Sequence, residues 1–252
     1  LLIDTHCHLN DEKAFPDPRS EIDAAREARV EKLIVVGTGP DEWKRTVELA
    51  EAHDELLAVV GWHPNYTADY SRAALAELRA LLEHPKVRAL GEIGLDYHWD
   101  YSPRETQMSA LRDQLDLARE MSLPVVFHAR EAYSDLLDVL ERDGSGRYLF
   151  HCFAGNAEEA ARAADLGACF GVDGPITYKK ADALRAVIRG ISPDRLVLET
   201  DAPYMAPVPF RGKSNRSAYV PLINAALAEV LDLSAEACAE LTTANAVRFF
   251  AI

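Results

Sequence analysis

Eight short runs of β-branched and aliphatic residues recur along this chain, each followed by a longer amphipathic stretch. The runs fall at 2–5, 32–37, 57–62, 87–92, 124–128, 148–151, 168–172 and 195–200. Segments of helical period lie between them, at 20–30, 41–53, 72–83, 104–121, 131–142, 157–166 and 181–189. A repeat of about 30 residues is the length of one strand–helix–strand unit. Such units make the strands parallel, because a parallel neighbour is reached through a crossover and not a tight turn. Eight units closing on themselves give an α/β fold of the (β/α)8 TIM-barrel type, and a chain of 252 residues fits one such domain. An open doubly wound sheet is the alternative. After the last strand come a loop rich in proline and basic residues, 202–216, and two more helical segments, 218–231 and 235–250. No internal boundary, low-complexity segment or short repeat interrupts the rhythm.

Composition narrows the function classes. Hydrophobic residues make up 48% of the chain, enough for a sizeable core. No stretch approaches about 20 uninterrupted apolar residues, which argues against a membrane-spanning helix. The start, Leu1-Leu2-Ile3-Asp4-Thr5-His6, has neither a basic leader nor a long apolar run, so no secretory signal is expected. Cys7, Cys152, Cys169 and Cys238 are far apart and form no C-x-x-C pair; they read as reduced thiols of a cytoplasmic protein. A monomer is the favoured oligomeric state. The formal charge of −14 argues against a broad, non-specific nucleic-acid surface. It leaves room for a small anionic substrate, since bound cations reverse the field locally.

The chemistry lies where the strands stop. The first run leads into His6-Cys7-His8, the fourth ends at Glu92, the fifth at His128, the sixth at His151, and the eighth leads into Asp201. In a barrel, equivalent strand ends form the catalytic face. Strand side chains alternate, so His6 and His8 share a face and can reach one ion, while Cys7 points away. The same alternation sets Cys152 apart from His151. Imidazole with carboxylate suits Zn, Mn, Co or Fe better than calcium. Six ligands exceed what one catalytic ion takes, and six with a shared carboxylate serve two ions about 3.5–4 Å apart. Such a pair polarises a phosphoryl or carbonyl oxygen and acidifies water, with no Ser or Cys nucleophile required. A lone strand-end histidine is usually structural; four, joined by a Glu and an Asp, point to metal.

These residues also carry a resemblance. Ile3-Asp4-Thr5-His6-Cys7-His8-Leu9, Gly91-Glu92-Ile93-Gly94-Leu95-Asp96-Tyr97, His128-Ala129-Arg130, His151-Cys152-Phe153 and Glu199-Thr200-Asp201-Ala202-Pro203-Tyr204 resemble the TatD family of metal-dependent hydrolases, within the amidohydrolase-like barrels. The resemblance spans essentially the whole chain. It implies a barrel with a two-metal site: His6 and His8 on one ion with Asp201 beside it, His128 and His151 on the other, and Glu92 bridging. It implies that Asp201 orients or deprotonates the attacking water. It also implies deoxyribonuclease activity, often 3′→5′ on the ends of single-stranded DNA, supported by Mg, Mn or another divalent ion such as Zn or Co. Two departures stand out. Ala154 follows Phe153 where serine is usual, and Arg216-Ser217 follows Asn215 where Glu-Pro is usual. The ligands are unaffected; substrate contacts in that loop are where a difference is expected.

Other residues have two readings each. His63, before Pro64, either contacts a phosphate or protonates a leaving oxygen, or else braces a turn. Arg130 either clasps a phosphate bidentately or pairs on the surface. Arg211, Lys213, Asn215 and Arg216 make the loop after the last strand locally basic, as a phosphate-binding loop or as a solvated charge run. Asp4 either fixes an imidazole tautomer or is a buried structural carboxylate. Tyr97, Trp99 and Tyr101 either stack on bases or pack within their loop. Three functions follow: a metal-dependent deoxyribonuclease, a hydrolase of small esters, lactones or amides on the same site, and a non-catalytic metal-binding scaffold.

Overall fold

Strand neighbours along the sheet are also neighbours in sequence: β1 (Leu2–Cys7), β2 (Val30–Gly37), β3 (Leu56–Val60), β4 (Val87–Asp96), β5 (Val125–Arg130), β6 (Tyr148–Phe150), β7 (Cys169–Val172) and β8 (Leu196–Leu198). Every pairing is parallel. The protein is described here by a computed structural model covering residues 1–144 and 146–252. Sequential order in an eight-stranded sheet is that of the expected barrel, nearly closed, and it rules out the doubly wound alternative, whose strand order reverses at a switch point.

The seam between β8 and β1 is closed by backbone bonds at the mouth and by side chains deeper in. Cys7 and Ala202 form an isolated parallel bridge. The Asp201 amide donates to His6 O at 2.9 Å, and the His8 amide to Ala202 O at 2.7 Å. Deeper in, Asp4 accepts from the Thr200 amide at 2.9 Å and from the Thr200 hydroxyl at 2.6 Å. Asp4 is fully buried and makes these bonds in place of an imidazole contact, which settles its two readings in favour of the structural one.

Helices follow the strands: α1 (Pro18–Glu27), α2 (Pro40–Ala52), α3 (Leu75–Leu82), α4 (Arg104–Met121), α5 (Tyr133–Asp143), α6 (Ala157–Asp165), α7 (Asp182–Gly190), α8 (Val220–Leu231) and α9 (Ala235–Phe250). Their starts have local causes. Asp17 accepts from the Ser20 amide with Pro18 opening α1. Asn156 and Glu159 form a capping box on α6. The helix expected at 72–83 begins instead as a 3-10 turn, Arg72–Ala74, because the Ser71 side chain takes the Ala73 amide.

Two apolar layers hold the barrel. The outer one lies between sheet and helices and contains Leu33, Leu90, Phe127, Phe150 and Phe170. The inner one takes side chains from near the beginnings of the strands, including Ile3, Ile34, Ala89, Val126, Leu149 and Val197, and adds Ala246, Phe249 and Phe250 from α9. Asn245 of α9 donates to Leu196 O at 2.8 Å, docking the helix at the start of β8. α9 thus plugs the end of the barrel where the strands begin, leaving the opposite mouth for chemistry. Each fully buried large apolar side chain contributes roughly 1.5–3 kcal/mol. Among the described residues no single helix is long and apolar enough to cross a membrane.

Candidate metal centre

Two breaks in strand register aim the ligands. In β4, Ala89 faces the inner layer and Leu90 the outer one. Strict alternation would turn Ile93 inward, yet Ile93 lies in the outer layer, and the pairing shifts between Leu90 and Ile93. A one-residue shift exchanges the two faces, and so Glu92 points into the barrel. β1 repeats the device: Ile3 is inner, Cys7 outer, and the pairing shifts between Asp4 and Cys7. His6 and His8 then share the inner face. Glu92 is not the end of its strand, as expected from sequence; β4 runs on to Asp96, paired with β5 as far as Arg130.

Glu92 lies at the centre of the site. Four histidine nitrogens surround its carboxylate: His6 Nε2 at 3.3 Å, His63 Nε2 at 3.3 Å, His128 Nδ1 at 2.9 Å and His151 Nε2 at 2.6 Å. Asp201 stands on the other side, its Oδ1 3.3 Å from His8 Nε2 and 3.8 Å from His6 Nε2. Asp201 has a left-handed backbone, φ 55°, just past β8. That conformation is uncommon for a non-glycine residue and concentrates at functional sites.

Several imidazoles are oriented from behind. His8 Nδ1 is 3.2 Å from Val36 O, His63 Nδ1 accepts the Asn65 amide at 3.1 Å, and His128 Nε2 is 3.0 Å from Asp96 Oδ2. In each case the other nitrogen is left facing a carboxylate of the site. Such outer partners fix tautomer and ring angle in metal centres. Sequence reasoning missed Asp96. Its spacing from Glu92, four residues on within the same motif, was the available signal.

The donor set fits metal. His6, His8 and Asp201 present ligand atoms within 4.8 Å of one another, as do His6, Glu92 and His151, and also His63, Glu92 and His128. Both ring nitrogens of His6 are buried and lack a hydrogen bond among the described residues. An unmet buried polar atom ordinarily costs about 1–3 kcal/mol, which coordination would remove. Burial, helped by His151, lowers the His6 pKa to about 4, favouring the neutral form a metal needs. Burial works against the Glu92 carboxylate, but His151, His63 and His128 hold it well below the ordinary range. Burial likewise opposes His151, which Glu92 nonetheless pushes up to about 10.

Cys152 departs from expectation. β6 stops at Phe150 and Cys152 has φ 43°, so strand alternation no longer applies. Its sulfur lies within ligand range of His151 and Asp201, and the thiol donates to Asp173 Oδ2 at 3.1 Å. Glu199, fully buried, takes the Cys152 amide, and its pKa is pushed up to about 8 by burial. A side chain at Gly171 would collide with that carboxylate. Cys7 is outside the site, its thiol donating to Ile34 O at 3.5 Å.

A cavity of about 490 Å³ opens over these ligands and is lined also by Asn65, Arg130 and several aromatic residues. A larger groove of about 710 Å³ lies on the outer wall between α7 and α8, far from the ligand cluster. The family model described as "TatD related DNase" matches residues 3–251. The chain belongs to the TatD family. It is 39% identical to the "uncharacterized metal-dependent hydrolase YabD" of Bacillus subtilis (strain 168), with 100% of each chain covered. It is 32% identical to the "3′-5′ ssDNA/RNA exonuclease TatD" of Pantoea ananatis (strain LMG 20103), again with 100% of each covered. The crystal structure of the TatD homologue YjjV from Escherichia coli K12 superposes with a TM-score of 0.93 at 35% identity, covering 100% of this chain and 98% of that one. Together with the ligand cluster, TatD membership makes this a metal-dependent hydrolase.

The remaining candidates separate. Arg130 lines the cavity. Asn215 does not: it is fully buried, donating to Thr200 O at 2.7 Å and accepting the Arg216 amide at 2.9 Å. Arg216 forms a bidentate pair with Glu21 of α1, at 2.7 and 3.0 Å, pinning the loop whose sequence departs from the TatD pattern. Arg211 lies over Tyr178 and Lys213 near Phe210, both exposed and outside the cavity lining. Tyr97 turns away to bond Asp135 at 2.8 Å, whereas Trp99 and Tyr101 line the cavity.

Proposed function

We propose that this chain is a metal-dependent deoxyribonuclease that removes nucleotides from the 3′ end of single-stranded DNA. The observation that carries the reading is the Glu92 carboxylate ringed by four histidine nitrogens within 3.3 Å, with Asp201 facing it. The naming of the Pantoea ananatis relative as an ssDNA/RNA exonuclease supports the substrate. Two divalent ions, Mg, Mn, Zn or Co, would be held by His6, His8 and Asp201 and by His128 and His151, with Glu92 shared. When bound they polarise a phosphoryl oxygen and acidify water.

The chain's own groups account for the protons. Asp201 takes the proton of the attacking water as its oxygen bonds to phosphorus. The bond from phosphorus to the departing 3′ oxygen breaks. His63 hydrogen-bonds that oxygen as it leaves: its Nδ1 accepts the Asn65 amide, so the Nε2–H faces the site, and the oxygen is protonated by the proton Asp201 took, returned through solvent. Arg130 is placed to hold the phosphate from the cavity wall. The loop carrying Arg211 and Lys213 supplies longer-range attraction to the strand.

One observation favours a second reading. Asp11, Glu42 and Asp96 line the cavity, and Arg130 is the one Lys or Arg among its lining residues. A small neutral ester, lactone or amide would meet less repulsion there than DNA. Side-by-side rates on single-stranded DNA and on a panel of esters and lactones, each across Mg, Mn, Zn and Co, separate the two. Hydrolysis confined to the small substrates would overturn the nuclease reading.

A further inference from the structure

The mouth of the cavity is acidic and aromatic together. Tyr66, Trp99, Tyr101, Tyr204 and Met205 are all exposed, and all line this one cavity. Exposed apolar groups gathered at one concave site and rimmed by polar residues mark a binding surface. Trp99 and Tyr101 stand out among them. Their rings stack with centroids 5.5 Å apart and planes at 14°, yet they keep 42% and 61% of their surface exposed. The two rings form an offset stack, with the Arg130 guanidinium 5.4 Å from the Trp99 ring centroid, and much of both rings stays open to solvent.

The platform is fixed relative to the metal ligands. Asp96 Oδ1 accepts the His98 and Trp99 amides at 2.9 and 3.2 Å, while Asp96 Oδ2 holds His128 at 3.0 Å. One carboxylate therefore ties the stacking surface and a ligand imidazole together. The far end of the rim loop is anchored too, with Ser102 donating to Asn65 O at 3.0 Å.

We propose that Trp99 and Tyr101 form a stacking platform for an unpaired nucleobase of the substrate strand, next to the scissile phosphate. This inference rests on the nuclease reading and adds what grips the substrate. In a chain of net charge −14, Arg130 is the one Lys or Arg among the described lining residues, so beyond the metal site few phosphate contacts are available to hold the rest of the strand. Stacking on aromatic faces needs no cation and tolerates any base sequence. It requires a base whose faces are free, which a duplex does not present, so the platform also selects single strands.

Tryptophan fluorescence tests the platform directly. Trp43 and Trp62 are buried, so Trp99 is the exposed tryptophan and reports on its own ring. The probe is a phosphorothioate oligothymidylate, titrated into the intact protein in Mg. Saturable quenching is expected in the wild type. Trp99→Ala and Tyr101→Ala should each raise Kd roughly ten- to hundred-fold, read by anisotropy of a labelled strand. Trp99→Phe should restore binding to within a few-fold, as a merely structural tryptophan would not. Both rings are exposed, so unchanged melting temperatures are expected as controls. Trp99→Ala binding as tightly as wild type, in a protein that does bind and shorten DNA, overturns the platform alone. A wild type that neither binds nor shortens any strand overturns the nuclease reading and the platform with it.

Discussion

His128 is held between two carboxylates: Asp96 Oδ2 sits 3.0 Å from its Nε2, and Glu92 Oε1 sits 2.9 Å from its Nδ1. Asp96 fixes the ring so that Nδ1 is offered to the site. Removing such an outer partner typically weakens metal affinity by about 10–100-fold. Asp96→Ala should therefore shift the half-saturating Mn concentration upward by that factor. Activity at saturating metal should fall less. A titration curve superimposable on wild type would show that Asp96 does not orient the ligand.

Asp201 has a different proposed part, as the group that takes the proton. Asp201→Asn keeps the size of the side chain and removes its basicity. Turnover should drop on the order of 10²–10⁴-fold while the circular dichroism spectrum is unchanged. Near wild-type rates would remove its assigned role.

The β8–β1 seam depends on Asp4 and Thr200. Thr200→Val deletes the 2.6 Å hydroxyl bond and leaves a buried carboxylate oxygen short of a donor. Urea unfolding should report a loss of about 1–3 kcal/mol. An unchanged midpoint with unchanged slope would mean that the seam is held by the backbone bonds alone.

Arg211 and Lys213 lie outside the cavity, so their effect should be on encounter. Replacing both with Ala should lower the salt dependence of DNA binding by about one unit of slope for each phosphate no longer neutralised. Turnover at saturating DNA should be little altered. If the slope does not move, the loop is a solvated charge run.

Much of this was legible in the sequence because apolar periodicity reports secondary structure directly. The helix expected at 104–121 is α4, Arg104–Met121, and all eight strands lie where β-branched runs predicted them. The His-x-His alternation correctly puts His6 and His8 on one face. What alternation does not reveal is a register shift. The reversal between Leu90 and Ile93 turns Glu92 inward four residues before β4 ends, and nothing in the local composition announces it. Cys152 looked remote from the site because the rule was carried past the last residue of β6. Asn215 looked like a phosphate contact because of its basic neighbours, but an amide side chain closing a loop has the same composition. Which imidazole Asp96 braces emerges only when β4 and β5 come together.

The most direct measurement is the fate of a 5′-labelled single-stranded DNA incubated with the protein in Mg or Mn, beside an identical reaction in chelator. Progressive shortening from the 3′ end with metal, and an intact strand in chelator, are the predicted results. A strand that stays intact under both conditions, or is cut equally well in chelator, would contradict the account.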